Sequence, residues 1–316
     1  MGQWSERLKK TQRLAPLHGM LALSVDTMVE GVHFNAHTSA EDLGYKALAV
    51  NLSDMAAMGA TPRSAGLALV APPELLDPAR TNWLERFAHG LLSLADAHGV
   101  AWRGSEVRHG PLNITVEIDG LVEAKPLRRD AAEPGHRIYV SGTLGDAGGG
   151  LHLLSAARPD DTPQKKASAD EAALVNRLMR PTPRVALGKV AASFARSAID
   201  LSDGLAADLG HILERSAATA RINAASLPLS EPLRRTFAIE RAYEFAVSAG
   251  DDYELAMTVP AALGGRLENA ARDIGCPLTR IGDVLAPDAA HPAGTIVWTH
   301  GDRTPWEPKS GYAHFS

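Results

Sequence analysis

The order of strand and helix patterns is the feature of this chain that most constrains its fold. Apolar residues alternate at Ile114, Val116 and Ile118, which predicts a half-exposed strand. Residues 83–98 instead have an amphipathic helical pattern, and Gly99 is a typical C-terminal stop. The two kinds of pattern follow each other without regular alternation, which favours an α+β fold over a doubly wound parallel sheet.

Pro134-Gly135 interrupts these patterns and predicts a domain boundary. We therefore expect an N-terminal α/β domain over residues 1–134 and a C-terminal α+β domain over residues 135–316. Ser39 with Asp42 predicts the start of a helix. Further strands are predicted at 21–25, 63–70, 138–140, 197–201, 220–222, 253–259, 278–281 and 295–298.

The composition is that of an ordinary globular protein and argues against several partners. The chain has 316 residues, of which 45% are hydrophobic, so it can bury a sizeable core. A formal net charge of -5 argues against a nucleic-acid partner. Cys276 is the single cysteine, which excludes an internal disulfide and suits the cytoplasm. No apolar run has the length needed to span a membrane.

Two similar segments each place a predicted Leu-Ser-Asp turn after an apolar run. They are Val50-Asn51-Leu52-Ser53-Asp54 and Ile199-Asp200-Leu201-Ser202-Asp203. Carboxylate and hydroxyl oxygens without histidine or cysteine favour a hard cation, above all Mg²⁺, which commonly accompanies phosphates. The alternative is that these serines and aspartates are ordinary helix N-caps. Asp54 lies in an apolar segment, where burial is costly unless the carboxylate is paired or binds a metal.

Two further segments place polar side chains near predicted strands. Asp26 follows the strand pattern of residues 21–25, and a turn at Glu30-Gly31 would bring His33 back towards it. The alternative is that Glu30 is solvated and that His33 only caps a loop. Glu106 follows a short apolar run and precedes a predicted turn, where a glutamate is usually just solvated.

The second half of the chain contains a glycine-rich loop and an acidic loop. The loop from Gly142 to Gly150 can cradle phosphates with its backbone N–H groups, although it matches neither a Rossmann fingerprint nor a Walker A motif. Asp251, Asp252 and Glu254 lie around one turn. One of these acids is expected to contact the substrate while another holds the loop.

Together these segments resemble the thiamine-monophosphate kinases, in the superfamily that also contains aminoimidazole ribonucleotide synthetase and selenophosphate synthetase. The resemblance covers nearly the whole chain and is carried by residues 24–27, 45–54, 134–135, 140–146, 198–211, 250–255 and 311–312. It implies that ATP phosphorylates thiamine monophosphate to thiamine diphosphate by direct transfer, with the acceptor phosphate as the nucleophile. It also implies a homodimer formed through the sheet of the N-terminal domain.

The resemblance implies roles for individual residues, with ATP as co-substrate and several Mg²⁺ ions between the phosphates. The residues expected to bind metal are Ser24, Asp26, Asp54, Glu106, Asp200 and Asp203. Of these, Asp54, Asp200 and Asp203 are expected to converge on one cleft and to be catalytic. Those expected to bind ATP are Ser105, Glu106, Arg129 and Ser202, and those expected to contact thiamine monophosphate are His33, Asp251 and Tyr312.

The chain departs from the family pattern at several positions. Residues 14–19 read Leu-Ala-Pro-Leu-His-Gly where the family has a Gly-Asp-Asp-Ala-type block that includes a metal ligand. Val25 replaces a common hydroxyl residue, and Ser105-Glu106 replaces Gly-Asp. Fewer ligands predict weaker metal binding and slow turnover.

Two other functions stay open on the sequence. One is a catalytically degenerate paralogue that binds nucleotide or thiamine phosphate without turnover, and the other is a superfamily enzyme with a different phosphate acceptor. A selenophosphate or carbamoyl-type enzyme is disfavoured, because it would be expected to use a reactive terminal cysteine and only Cys276 is present.

Overall fold

The computed structural model of this chain describes residues 2–8, 19–123, 125–156, 167–301 and 304–307. Contacts between residues divide the chain into two units, of which the first comprises Met1–Met55 and Ala60–Glu123. The second unit comprises Ala56–Gly59 and Ala124–Ser316. Both units combine helices with a sheet, which confirms the two-domain α+β fold. The boundary between residues 134 and 135 stays a prediction.

The first unit contains a four-stranded sheet with both parallel and antiparallel neighbours. Its helices are α1 (Gln3–Leu8), α2 (Ala40–Ala57), α3 (Pro73–Leu76) and α4 (Trp83–Ala97), and the last two residues of α2 belong to the second unit. Its strands are β1 (Met20–Val29), β2 (Thr61–Ala71), β3 (Ala101–His109) and β4 (Asn113–Val122). The strand order is β1-β4-β2-β3, with β2 and β3 parallel and the other neighbours antiparallel.

The half-exposed strand predicted from alternation is confirmed in β4, where Ile114, Val116 and Ile118 are buried. The predicted start of α2 is also confirmed, because Ser39 Oγ accepts a hydrogen bond from the Asp42 N–H at 3.1 Å. That bond satisfies one of the N–H groups that every helix leaves without a partner in its first turn.

Helices α2 and α4 approach each other closely because glycine lies at both contact points. A Cβ atom on Gly44 would lie 2.0 Å from the Phe87 carbonyl oxygen. A Cβ atom on Gly90 would lie 2.0 Å from the Glu41 carbonyl oxygen. Any larger residue at either position would therefore force the two helix backbones apart.

The second unit is built around a seven-stranded sheet. Its helices are α5 (Asp146–Ala156), α6 (Ala169–Met179), α7 (Val185–Ala191), α8 (Leu205–Arg215), α9 (Glu231–Thr236), α10 (Ile239–Ser248) and α11 (Gly264–Asp273). Its strands are β5 (His136–Ser141), β6 (Ser197–Asp200), β7 (Thr219–Asn223), β8 (Leu255–Pro260), β9 (Leu278–Leu285), β10 (Ile296–His300) and β11 (Thr304–Pro305). The strand order is β11-β10-β7-β9-β5-β8-β6, with only β7 and β10 parallel among these neighbours.

Helix α8 anchors the core of this unit. Leu205, Leu209 and Ile212 are buried one turn apart and belong to the same cluster as Val140 and Ile199 of the sheet. This packing fixes α8 directly behind the end of β6. None of the helices in the described ranges has the length and apolar character needed to cross a membrane.

Three boundaries expected from the sequence are wrong. The ladder between β1 and β4 continues to Val29, so Asp26 lies within the strand and not at its end. Glu106 lies within β3, where it pairs with Ala68 of β2, and not before a turn. The loop that begins at Gly142 is shorter than expected, because α5 already begins at Asp146 and contains the last three glycines.

The first Leu-Ser-Asp segment is not a turn. Leu52-Ser53-Asp54 lies inside α2, because Leu48, Leu52 and Met55 are fully buried at helical spacing and the helix continues past Asp54. Leu201-Ser202-Asp203 does form the predicted turn, between β6 and α8. The N-cap of α8 is Gly204, which makes no side-chain cap.

Candidate functional site

Ser24, Asp26 and Asp54 lie together in the first unit. Ser24 and Asp26 are two residues apart on β1, so their side chains share one face of the strand. Asp54 approaches from α2, and its Oδ2 accepts a hydrogen bond from Ser24 Oγ. The Asp54 carboxyl also interacts with the Asp26 carboxyl through a hydrogen bond and through its charge. We call these three residues the acidic cluster.

The electrostatics of the acidic cluster fit a hard cation. Burial, followed by the charge and hydrogen bond of Asp54, raises the pKa of the Asp26 carboxyl to about 6. The shift means that two neighbouring ionised carboxylates are unfavourable in this position. A cation would remove this repulsion, and carboxylate and hydroxyl oxygens are ligands that Mg²⁺ prefers. Across the described ranges, no three His, Cys, Asp or Glu side chains form a group able to hold a metal ion.

The other residues predicted for the first unit make local contacts. The Glu106 carboxylate is exposed and forms an ion pair with Arg108. Ser105 Oγ donates a hydrogen bond to the Leu8 carbonyl oxygen at 2.8 Å, which attaches α1 to β3.

His33 closes the turn that follows β1. Its backbone N–H donates to the Val29 carbonyl oxygen at 3.0 Å, and its Nδ1 accepts a hydrogen bond from the Val29 N–H at 3.0 Å. The ring is therefore oriented by the end of the strand. Because Nδ1 is an acceptor, Nε2 carries the proton in the neutral imidazole and is the donor that His33 offers to the surroundings.

In the second unit, Asp200, Ser202 and Asp203 lie at the junction of β6 and α8. Asp200 is the last residue of β6 and is only 4% exposed. The turn that follows is held by Asp208, whose Oδ2 accepts hydrogen bonds from the N–H groups of Asp203 at 2.9 Å and Gly204 at 3.1 Å. Burial raises the pKa of the Asp208 carboxyl to about 7. Asp208 therefore fixes the backbone that presents Ser202 and Asp203.

Residues 249–254, which connect α10 to β8, lie against this junction. We call them the 249–254 loop. The Asp251 N–H donates to the Ser202 carbonyl oxygen at 2.9 Å, and the Tyr253 N–H donates to the Leu201 carbonyl oxygen at 2.9 Å. Gly250 is required for this approach, because a Cβ atom there would lie 2.1 Å from the Ser202 carbonyl oxygen. Asp251 and Ser202 are thus held next to each other through their backbones.

Two of the predicted site residues, Arg129 and Tyr312, are not brought next to the other predicted site residues by the contacts described above. Arg129 has an exposed side chain, and its carbonyl oxygen accepts a hydrogen bond from Ser216 Oγ at 3.1 Å. Tyr312 lies outside the described residues. The convergence of Asp54 with Asp200 and Asp203 stays a prediction.

Sequence reasoning missed Asp208 as a support for the second Leu-Ser-Asp turn. The available signal was its place in the first turn of an amphipathic helix that begins directly after a glycine. The acidic 249–254 loop was recognised, but the residue pattern alone did not distinguish the roles of its three acids, and only the family resemblance assigned Asp251 to the substrate.

Comparisons with known proteins agree with these motifs. The family models for AIR synthase related protein match residues 13–122 with the N-terminal domain and residues 133–291 with the C-terminal domain. A thiamine-monophosphate kinase from Escherichia coli (strain K12) is 44% identical over 267 residues, which cover 84% of this chain and 79% of that protein. The crystal structure of thiamine-monophosphate kinase from Stenotrophomonas maltophilia K279a matches with a TM-score of 0.80 and 42% identity, over 91% of this chain and 86% of that chain. The structure of AaThiL complexed with AMPPCP and TMP matches with a TM-score of 0.76 and 30% identity, over 90% of this chain and 86% of that chain.

Proposed function

The chain belongs to the thiamine-monophosphate kinase family and is a kinase, and we propose that it transfers the γ-phosphoryl group of ATP to thiamine monophosphate. The product is thiamine diphosphate. The identity to curated kinases over most of the chain carries this proposal. The relative complexed with AMPPCP and TMP supports ATP and thiamine monophosphate as the two substrates.

The proposed metal ligands are the acidic cluster of the first unit, Asp200 and Asp203 of the second unit, and Glu106. Bound Mg²⁺ would neutralise the negative charge of the two phosphate groups that must approach each other. The carboxylates of Asp54, Asp200 and Asp203 are proposed to be catalytic, because they would hold the Mg²⁺ ions that stabilise the charge of the transition state. The acceptor phosphate is already a nucleophile, so no strong general base is required.

The remaining roles concern orientation of the substrates. Ser105, Glu106, Arg129 and Ser202 are proposed to bind ATP, and His33, Asp251 and Tyr312 are proposed to contact thiamine monophosphate. For His33, the hydrogen bond from Val29 to Nδ1 supports Nε2–H as the donor to the substrate. For Ser202 and Asp251, their shared backbone hydrogen bond supports binding of neighbouring parts of the two substrates.

We also propose that this chain turns over its substrates slowly. The family has a metal ligand in the block that residues 14–19 replace, and loss of one ligand weakens stabilisation of charge in the transition state. A coupled assay beside a family member with the complete block is expected to give a lower kcat for this chain. Equal kcat values would contradict slow turnover, whereas binding of both substrates without product would favour the degenerate paralogue.

Asp54→Asn tests the acidic cluster. The amide removes one carboxylate, so we expect the Mg²⁺ concentration at half-maximal activity to rise roughly tenfold or more. The assay is a Mg²⁺ titration at saturating ATP and thiamine monophosphate. Asp77→Asn is the control, because Asp77 is 43% exposed in the same unit and has no proposed role. An unchanged Mg²⁺ titration for Asp54→Asn would contradict the assignment.

A further inference from the structure

The 249–254 loop presents Asp251 in an unfavourable backbone conformation. Asp251 has φ +68° and Tyr253 has φ +50°, which lie in the left-handed region that few residues other than glycine adopt. Such conformations persist only where the surrounding structure holds them, and they are common in ligand-binding loops. Contacts on both sides of the 249–254 loop hold this backbone in place.

The Asp252 side chain supplies one of these contacts. It is 3% exposed and turns away from the surface, towards the start of α5. Its Oδ2 accepts a hydrogen bond from the Gly145 N–H at 2.6 Å, and its Oδ1 accepts one from the Ala147 N–H at 3.2 Å. Asp252 thus accepts hydrogen bonds from N–H groups at the start of α5, as an N-cap side chain does. It does so from a distant part of the chain, 105 residues from Ala147.

Glu254 supplies a second contact on the other side of the loop. It is fully buried, and its carboxylate accepts hydrogen bonds from Arg177 at 2.9 Å, Arg184 at 2.6 Å and Ser141 at 2.5 Å. Asp252 and Glu254 are thus both turned inward. The two buried acids therefore hold the loop, and Asp251 is the acid of the three that is partly exposed to solvent.

We propose that Asp252 is a positioning residue that sets the strained backbone of Asp251 for contact with the phosphorylated substrate. The proposal rests on the function proposed above, since it takes thiamine monophosphate as the ligand of Asp251. The position of Ser202 depends less on Asp252, because Asp208 separately holds the turn that contains Ser202. Loss of the contact between Asp252 and α5 should therefore affect thiamine monophosphate more than ATP.

Asp252→Asn is the variant that tests this. The side chain keeps its size, but the amide nitrogen cannot accept a hydrogen bond, so one of the two bonds to α5 is lost. Burial already raises the pKa of the Asp252 carboxyl, so a neutral amide is tolerated in the fold. Ser168→Ala is the matched control, because it removes an N-cap hydrogen bond at the start of α6 in the same unit, whereas Arg177, which contacts the 249–254 loop, lies in the last turn of that helix.

Two measurements distinguish positioning from a general loss of stability. In Asp252→Asn we expect KM for thiamine monophosphate to rise roughly tenfold or more, with a smaller change in KM for ATP. We also expect faster amide hydrogen exchange at Gly145, Ala147, Asp251 and Tyr253. Ser168→Ala should lower the melting temperature without either effect.

The two measurements also separate this proposal from the proposed function. Unchanged exchange in the 249–254 loop of Asp252→Asn would overturn the positioning role, whether or not the chain is active. Faster exchange with an unchanged KM for thiamine monophosphate would overturn it as well. Absence of kinase activity in the unmodified chain would instead count against the proposed function, and the exchange measurement would still test the contact with α5.

Discussion

The buried carboxyl of Asp252 is expected to make the free energy of unfolding depend on pH. Burial raises the pKa of its carboxyl to about 8, with the Asp146 charge adding to the shift and the Gly145 N–H and Arg177 opposing it. The unfolded chain releases this proton near pH 4, the ordinary range of aspartate, as roughly given by model peptides. Between these values the folded state holds a proton that the unfolded state has lost, so the contribution of Asp252 to stability falls as pH rises.

We therefore expect Asp252→Asn to become more stable relative to the unmodified chain as pH rises from 5 to 8. The unmodified chain loses stability as the pH rises, by at most about 1.4 kcal/mol per pH unit. The variant does not, because its amide cannot ionise. Other titrating groups are shared and cancel in the difference. Thermal unfolding at several pH values measures the effect.

Asp130→Asn is the control for this pH series. Its carboxyl is 40% exposed, and the hydrogen bond from the Arg128 guanidinium, which stays charged over this range, lowers the pKa of Asp130 to about 2. It is ionised in both states above pH 5, so its substitution should cause a shift in melting temperature that is independent of pH. A pH-independent shift for Asp252→Asn as well would show that the carboxyl does not hold a proton in the fold.

At the scale of elements, the contact of α2 with α4 depends on glycine. Gly90→Ala places a Cβ atom against the Glu41 carbonyl oxygen, which is backbone and cannot rotate away. We expect the free energy of unfolding to fall by about 2 kcal/mol or more, as measured in denaturant. Gly210→Ala in α8 is the opposite case, because the added Cβ would meet no other atom within 4 Å apart from its chain neighbours and the nearby backbone of its own helix. It should raise stability by up to about 1 kcal/mol, and equal effects of both variants would contradict the packing argument.

Periodicity predicted most strands, including β4, and the helix α4, but β3 and the helices α9, α10 and α11 were not predicted. It failed for the first Leu-Ser-Asp segment because the local residues are nearly the same in both copies. The difference lies downstream, where Gly204 takes φ +106° and starts a new helix, while Met55 continues the buried face of α2.

The extent of β1 and the place of Glu106 depended on long-range pairing that no local pattern contains. Residues Met20 to Val29 form one continuous strand because each of them pairs with a residue of β4. For the site, oxygen-rich motifs singled out Asp26 and Asp54, and their role as metal ligands stays a prediction. The mutual contact of Asp26 and Asp54 required the crossing of a strand and a helix that only the fold supplies.

At the scale of the molecule, β1 has the features of an interface. It is the end strand of its sheet, so one edge of its backbone has no neighbour among the described strands. Leu21, Leu23 and Val25 point to the face opposite Ser24 and Asp26 and are 44%, 63% and 62% exposed. An end strand with a row of exposed apolar side chains tends to associate with another chain. A second copy is the proposed partner.

Leu23→Glu tests the homodimer without changing the face of β1 that bears the acidic cluster. A charge in the middle of the apolar row would repel its copy across a symmetric interface, so we expect a dimer for the unmodified chain and a monomer for the variant at the same concentration. Sedimentation equilibrium measures the mass. Leu151→Glu is the control, because Leu151 is 53% exposed on α5 of the second unit and lies outside the proposed interface. A dimer of Leu23→Glu with unchanged affinity, or loss of the dimer in Leu151→Glu alone, would place the interface elsewhere.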